Sequence, residues 1–149
     1  MDVVAAVAMA RRVLDEHGLR DWTVVLDRAR TRAGVCRAHR REIGLSRPLT
    51  ALHGEEEVRL TVLHEVAHAL VGPEHGHDAV WRARVRRIGG DDRRTLPPSA
   101  PRLPGAWTGT CPAGHTVTRH RRPARASSCT RCSRTWDPRH AFAWERTGS

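Results

Sequence analysis

Between Leu60 and Val71 an apolar run carries two histidines four residues apart, with a glutamate beside the first: His64-Glu65-Val66-Ala67-His68. Residues i and i+4 lie on one face of an α-helix, one turn apart. Two imidazoles so placed can bind one Zn²⁺, and the adjacent Glu can reach a water held there. The frame therefore has to be helical, and the helix has to sit where one face meets solvent. Peptidase chemistry needs three protein ligands and an open position. His53, Glu74, His75 and His77 are candidates for the third. His77 is preferred, because Gly72-Pro73 breaks the helix and Gly76-His77-Asp78 returns the chain into a new one. His75 reads as a solvated loop histidine.

The remaining elements follow from periodicity and punctuation. Residues 2–17 repeat apolar positions at helical spacing (Val3, Val7, Ala10, Val13/Leu14) and stop at Gly18. Residues 22–27, 34–38 and 42–45 are short, rich in β-branched residues and read as strands. Ser46-Arg47-Pro48 is a helix start. Glu55-Glu56-Glu57 suits the positive end of the next helix, which carries the histidines. A further helix begins at His77–Trp81 and ends at Gly89-Gly90. Residues 93–105, with Pro97, Pro98, Pro101 and Pro104, are expected to be an extended linker. The expected organisation is a metalloprotease domain over 1–92, that linker, and a small module over 106–146. The fold class is α+β: an N-terminal helix, a small three-stranded sheet and the HExxH helix, followed by a zinc ribbon.

The module rests on Cys111-Pro112-Ala113-Gly114-His115 and Cys129-Thr130-Arg131-Cys132. Two ligand pairs on tight turns can close a tetrahedral zinc site. His120 is an alternative to His115. About 40 residues cannot hold a core alone, and a metal would supply folding energy. Cys36 stands apart and reads as a buried strand thiol.

Charge separates the two parts. The chain has 149 residues and a net charge of +10. Residues 1–92 hold 15 Arg and 14 acids, whereas 93–149 hold 11 Arg and 2 acids. There is no Lys, Asn, Gln or Tyr, which suggests a GC-rich coding sequence. Codon bias would not concentrate the excess in the last third, so a basic surface there is expected to meet a polyanion. Arg119, Arg121, Arg122 and Arg125, between the ligand pairs, are the candidate nucleic-acid contacts. Trp107, Trp136 and Trp144 are read as the module's small core, with base stacking as the alternative. The N-terminus has its acid before its apolar run and its arginines after, the reverse of a secretory signal. A cytoplasmic monomer without membrane association is expected, with a protein substrate and DNA as a possible further partner.

Taken in order, Ala33-Gly34-Val35-Cys36, Glu42-Ile43-Gly44-Leu45-Ser46-Arg47-Pro48-Leu49, Val62-Leu63-His64-Glu65-Val66-Ala67-His68-Ala69 and Gly76-His77-Asp78-Ala79-Val80-Trp81 resemble the SprT-like domain, the zinc metalloprotease domain of Spartan and bacterial SprT proteins. The resemblance covers about residues 5–90 and extends into the ribbon. It implies that His64, His68 and His77 hold the catalytic zinc, that Glu65 is the catalytic base, and that Cys111, His115, Cys129 and Cys132 hold a structural one. It also implies substrates that are DNA-associated or DNA-crosslinked proteins. Asp78 departs from the family's usual Gly, and the segment from His68 to His77 is short. Metzincins would need Gly at 71 and His at 74, where this chain has Val71 and Glu74. A non-catalytic, zinc-stabilised nucleic-acid-binding protein is the alternative. Many zinc peptidases stabilise the oxyanion with a Tyr. This chain has none, so an Arg, a His or the metal alone must serve.

Overall fold

A computed structural model describes residues 1–97 and 99–147. The chain divides into two compact units, Met1–Leu103 and Pro104–Ser149.

The first unit opens with α1 (Val3–Glu16), whose N-terminus is capped by Asp2 accepting from the Ala5 N–H. Its buried stripe of Ala6, Met9, Ala10, Val13 and Leu14 follows helical spacing. Three short strands come next: β1 (Thr23–Asp27), β2 (Gly34–Arg37) and β3 (Glu42–Ser46). They form a mixed sheet in the order β1-β3-β2, with β1 parallel and β2 antiparallel to the central β3. The centre is the most buried strand, as two-sided cover requires: Ile43, Gly44, Leu45 and Ser46 are all inaccessible.

Ser46 ends β3 and starts α2 (Arg47–Leu52), its hydroxyl accepting from the Leu49 N–H at 3.1 Å. The long helix α3 (Glu55–Val71) begins with three glutamates, where the helix dipole favours negative charge. It ends at Gly72, whose φ of +97° admits glycine readily and whose N–H bonds the His68 carbonyl. Asp78 caps α4 (Ala79–Arg87) by accepting from the Trp81 N–H. The main core joins Ala10, Val13 and Leu14 of α1, Ile43 and Leu45 of β3, and Val62, Leu63 and Val66 of α3, with Trp22. Thus α3 is clamped between α1 and the sheet on one side. Its Ala67 packs with Trp81 and Val85 of α4 on the other.

The segment after α4 departs from the expected linker. Residues 93–103 belong to the first unit, and Ala100 is 8% exposed. The ring Nε2 of buried His53 lies 2.9 Å from the Pro101 carbonyl. Prolines forbid helix here, but an extended chain can still lie against a surface and have its carbonyls engaged. His53, considered above as a metal ligand, is occupied by this contact.

The second unit is a three-stranded antiparallel sheet of β4 (Trp107–Thr110), β5 (Thr116–Arg119) and β6 (Ala143–Arg146), with β4 central. Trp144 lies across Gly109, where a Cβ would approach the indole to 2.9 Å. Phe142 packs beside it, with ring centroids 5.8 Å apart. The core reading therefore fits Trp144. Trp107 is instead flanked by the Arg122 and Arg146 guanidinium groups, 5.3 and 5.8 Å from its ring, and Trp136 is 55% exposed. Among the described residues no helix is long and apolar enough to cross a membrane.

Candidate functional site

The first site is built on α3. His64 and His68 share the face directed at the α3–α4 connection, and His77, just before α4, closes on both. The His77 Nε2 lies 2.9 Å from the His64 Nε2 and 3.2 Å from the His68 Nε2. A tetrahedral zinc with Zn–N bonds of about 2.0–2.1 Å spaces its nitrogen ligands about 3.3 Å apart. Three convergent nitrogens at nearly that spacing fit such an ion. Glu74 is exposed, and His75 is turned to Asp78, with Nδ1 2.8 Å from its Oδ2. Of the four candidates for third position, His77 is the one at the cluster.

The rings are held from behind. The carbonyl of His75 bonds the His68 ring. With Nε2 directed at His77, that bond falls to Nδ1, the arrangement that fixes a ligand's tautomer. Such a turn is possible because Gly72 lets the chain double back. Burial, then the neighbouring His68 and His77, push the His64 pKa down to about 4. Burial and His77 lower His68. Burial, then Arg94 and Arg82, lower His77. All three shifts favour the neutral imidazole, the form that ligates metal. The positive charges of Arg82 and Arg94 both act on His77.

Glu65 is rotated about 100° from His64 around the helix and turns to the sheet, where it is 8% exposed. In the sheet the Ser46 N–H bonds the Ala33 carbonyl. By antiparallel alternation, Gly34 and Cys36 direct their backbone groups to the free edge of β2. There the Cys36 N–H donates to the Glu65 carboxylate. Burial pushes Glu65 up to about 7, with the Cys36 N–H and Arg32 pulling the other way. Gly34 admits this approach because it has no side chain: a Cβ would stand 2.8 Å from the Glu65 Cγ and 2.9 Å from its Oε1. The Cys36 thiol is half-buried against the core and pushed up to about 11 by burial and by Glu65. That suits a structural thiol.

The second cluster closes the ribbon. The Nδ1 of His115 lies 3.7, 3.6 and 3.3 Å from the sulfurs of Cys111, Cys129 and Cys132, and Cys111 and Cys132 are 3.9 Å apart. Zn–S bonds of about 2.3 Å and tetrahedral angles give edges of about 3.6–3.8 Å. The donor set fits zinc in number, type and spacing. Burial raises the Cys129 thiol, but the Arg131 and Cys132 N–H groups, with the Cys132 and His115 side chains, bring it down to about 7. Burial and the neighbouring Cys129 and Cys111 push Cys132 up to about 11. Three thiols this close cannot all ionise without a cation among them. His120 is exposed and outside the cluster. Arg119, Arg121, Arg122 and Arg125 are all exposed. Of these Arg122 lies over the Trp107 ring, and Arg119 donates to the Thr118 carbonyl at 3.0 Å.

Among the described residues these are the two groups able to hold a metal. An α+β unit with three histidines converging beside a buried glutamate has the make-up of a metallopeptidase domain. The model of the SprT-like family matches residues 8–101, and the chain belongs to that family. No curated protein matches it. Among solved structures, the metallopeptidase zymogen abylysin of Pyrococcus abyssi is similar at 19% identity and a TM-score of 0.49. That match covers 59% of this chain and 83% of the other, a likeness too slight to bear on function. Family and site together support a metalloprotease-type function with zinc as the metal.

Proposed function

We propose that this chain is a zinc-dependent endopeptidase. His64, His68 and His77 hold the catalytic ion, and Cys111, His115, Cys129 and Cys132 hold a structural one. The observation that carries the proposal is the convergence of three Nε2 atoms beside a carboxylate buried one helix position away. A zinc ion at the three histidines would supply Lewis acidity, acidifying water and polarising the scissile carbonyl. Glu65 takes the proton of the attacking water and delivers it to the leaving nitrogen. Its carboxyl is set near 7 by burial, and a cation held by its neighbours favours the ionised form it needs as a base. The Cys36 N–H holds the carboxylate from the edge of β2. Arg82 and Arg94, whose charges reach His77, are the oxyanion donors we assign. The free edge of β2, beside Glu65, suits an extended peptide added as a strand, which reads backbone rather than side chains.

The substrates we propose are proteins associated with or crosslinked to DNA. The support is the charge of the second unit: its exposed arginines and Trp136 have the character of a single-strand contact surface. The test is cleavage of a flexible DNA-binding protein with and without single-stranded DNA, by wild type and by Glu65→Gln. DNA-stimulated cleavage that the substitution abolishes supports the full proposal. Cleavage indifferent to DNA removes the substrate assignment and leaves the endopeptidase. No cleavage, with two zinc ions bound and DNA retained, favours the non-catalytic nucleic-acid-binding protein.

A further inference from the structure

Trp81 touches every ring of the three-histidine cluster. Its ring centroid lies 4.6 Å from that of His64, 5.1 Å from His68 and 4.6 Å from His77. It stacks on His68 at 25° and meets the other two edge to face. Its indole N–H points at the His64 carbonyl, 3.4 Å away. The side chain is fully buried, with Ala67 and Val85 packed around it and Val71 and Ile88 against that cluster. It cannot withdraw without opening the α3–α4 packing.

The three histidines come from two places in the chain, α3 and the turn before α4. Trp81 is the residue that binds those places together at the ligands. One carboxylate sets its position: Asp78 Oδ1 accepts from the Trp81 N–H while Oδ2 meets the His75 ring. The same turn carries His77 and the His75 carbonyl that bonds His68. A cation shared by three imidazoles draws electron density from them, and the face of an indole, here stacked on His68, is the best neutral neighbour for an electron-poor ring.

We propose that Trp81 is a positioning residue for the metal: an aromatic floor that holds the three imidazoles convergent and stabilises them when they carry a cation. This rests on the metal-centre reading above. A mere filler of volume would do the first part only as well as any apolar side chain, and none of the second.

Two substitutions separate the possibilities. Trp81→Phe keeps an aromatic face, whereas Trp81→Met keeps apolar bulk without one. The full chain, with its ribbon zinc retained, is titrated with Zn²⁺ against a chromophoric chelator, and His68→Ala identifies the binding event that belongs to the three histidines. Binding in Trp81→Phe is expected within about threefold of wild type. In Trp81→Met it is expected to be about 10–100-fold weaker, the range seen when groups supporting metal ligands are removed. The visible spectrum of the cobalt-loaded site is expected to change in the Met variant and persist in the Phe variant. Equal affinities for all three proteins would overturn the role of Trp81, as would equal losses in Phe and Met. Should Trp81→Met not fold, the wild type still decides. Its Trp81 indole N–H resonance, assigned by its loss in Trp81→Phe, shifts as metal fills the site, and an unmoved resonance overturns the proposal. A wild type without any event removed by His68→Ala would bring down the metal-centre reading itself.

Discussion

Gly34→Ala places one methyl group against the candidate base. The added carbon would stand 2.8 Å from the Glu65 Cγ, 2.8 Å from the Thr61 Cγ2 and 2.9 Å from the Glu65 Oε1, where ordinary contact begins at 3.4 Å. Something must move by about 0.6 Å or more. Gly34 is not among the residues with positive φ, so the backbone accepts alanine without strain. Thr61 is on the buried side of α3, 7% exposed, and cannot yield easily. The Glu65 side chain, held at its end by the Cys36 N–H, can turn about its own bonds. The cost in stability is small: overpacking of about 1–3 kcal/mol, offset by about 0.5–1 kcal/mol from replacing glycine in a strand. The cost in rate is larger, since a misplacement of about 1 Å in a catalytic constellation is worth about 100-fold. We expect kcat on an unstructured protein substrate to fall about 10- to 100-fold, KM to change little, and zinc content to stay at the wild-type level because no ligand is touched. The assay is steady-state cleavage of fluorescently labelled unfolded protein, alongside thermal unfolding. A kcat within twofold of wild type, with a clear fall in Tm, would refute the placement of Glu65 against β2.

Three further outcomes follow from particular groups. Asp27 is pushed up by burial but brought lower overall by the Ala29 N–H and by Arg32 and Arg37. Its stabilising contribution is therefore complete above the ordinary carboxylate pKa of about 4 and is lost as pH falls below it. Asp27→Asn should flatten the acid limb of the unfolding curve, and an unchanged limb would count against the network. Arg94→Ala should lower kcat by about 10- to 100-fold at nearly constant KM, measured on the same substrate, and a pure KM effect would remove Arg94 from the oxyanion. Stripping metal with a strong chelator, or Cys132→Ser, should unfold the second unit, whose own core is small. Amide exchange of β4–β6 reports this, and full protection in the metal-free protein would contradict a structural zinc.

Much of this arrangement could be read from local pattern. The spacing of His64 and His68 and the Gly72-Pro73 break are local, and they led to α3 and to His77. Strand ends differed by a residue, as at Trp22 and Ser46, because capping and pairing rather than composition decide where a strand stops. What could not be read was tertiary. The contact of Pro101 with the first unit joins its carbonyl to a buried imidazole 48 residues away, which leaves no periodic trace. The Cys36 N–H on Glu65 arises because β2 is an edge strand, and edge position is set by topology. Trp81 showed as one apolar position of α4 with Val85 and Ile88. That the same ring touches three histidines follows only from how α3 and α4 cross. In the ribbon, the ligand spacing was legible, but the Arg122 guanidinium over the Trp107 ring joins residues distant in sequence and leaves no local pattern.

Glu65, on the proposed function, acts as base at a zinc held by three histidines. The most direct measurement compares wild type and Glu65→Gln, each loaded with two equivalents of zinc, for cleavage of an unfolded protein. The account predicts equal zinc content and equal folding, with cleavage by the wild type and a loss of at least a hundredfold in the variant. Full proteolytic activity in Glu65→Gln would contradict it.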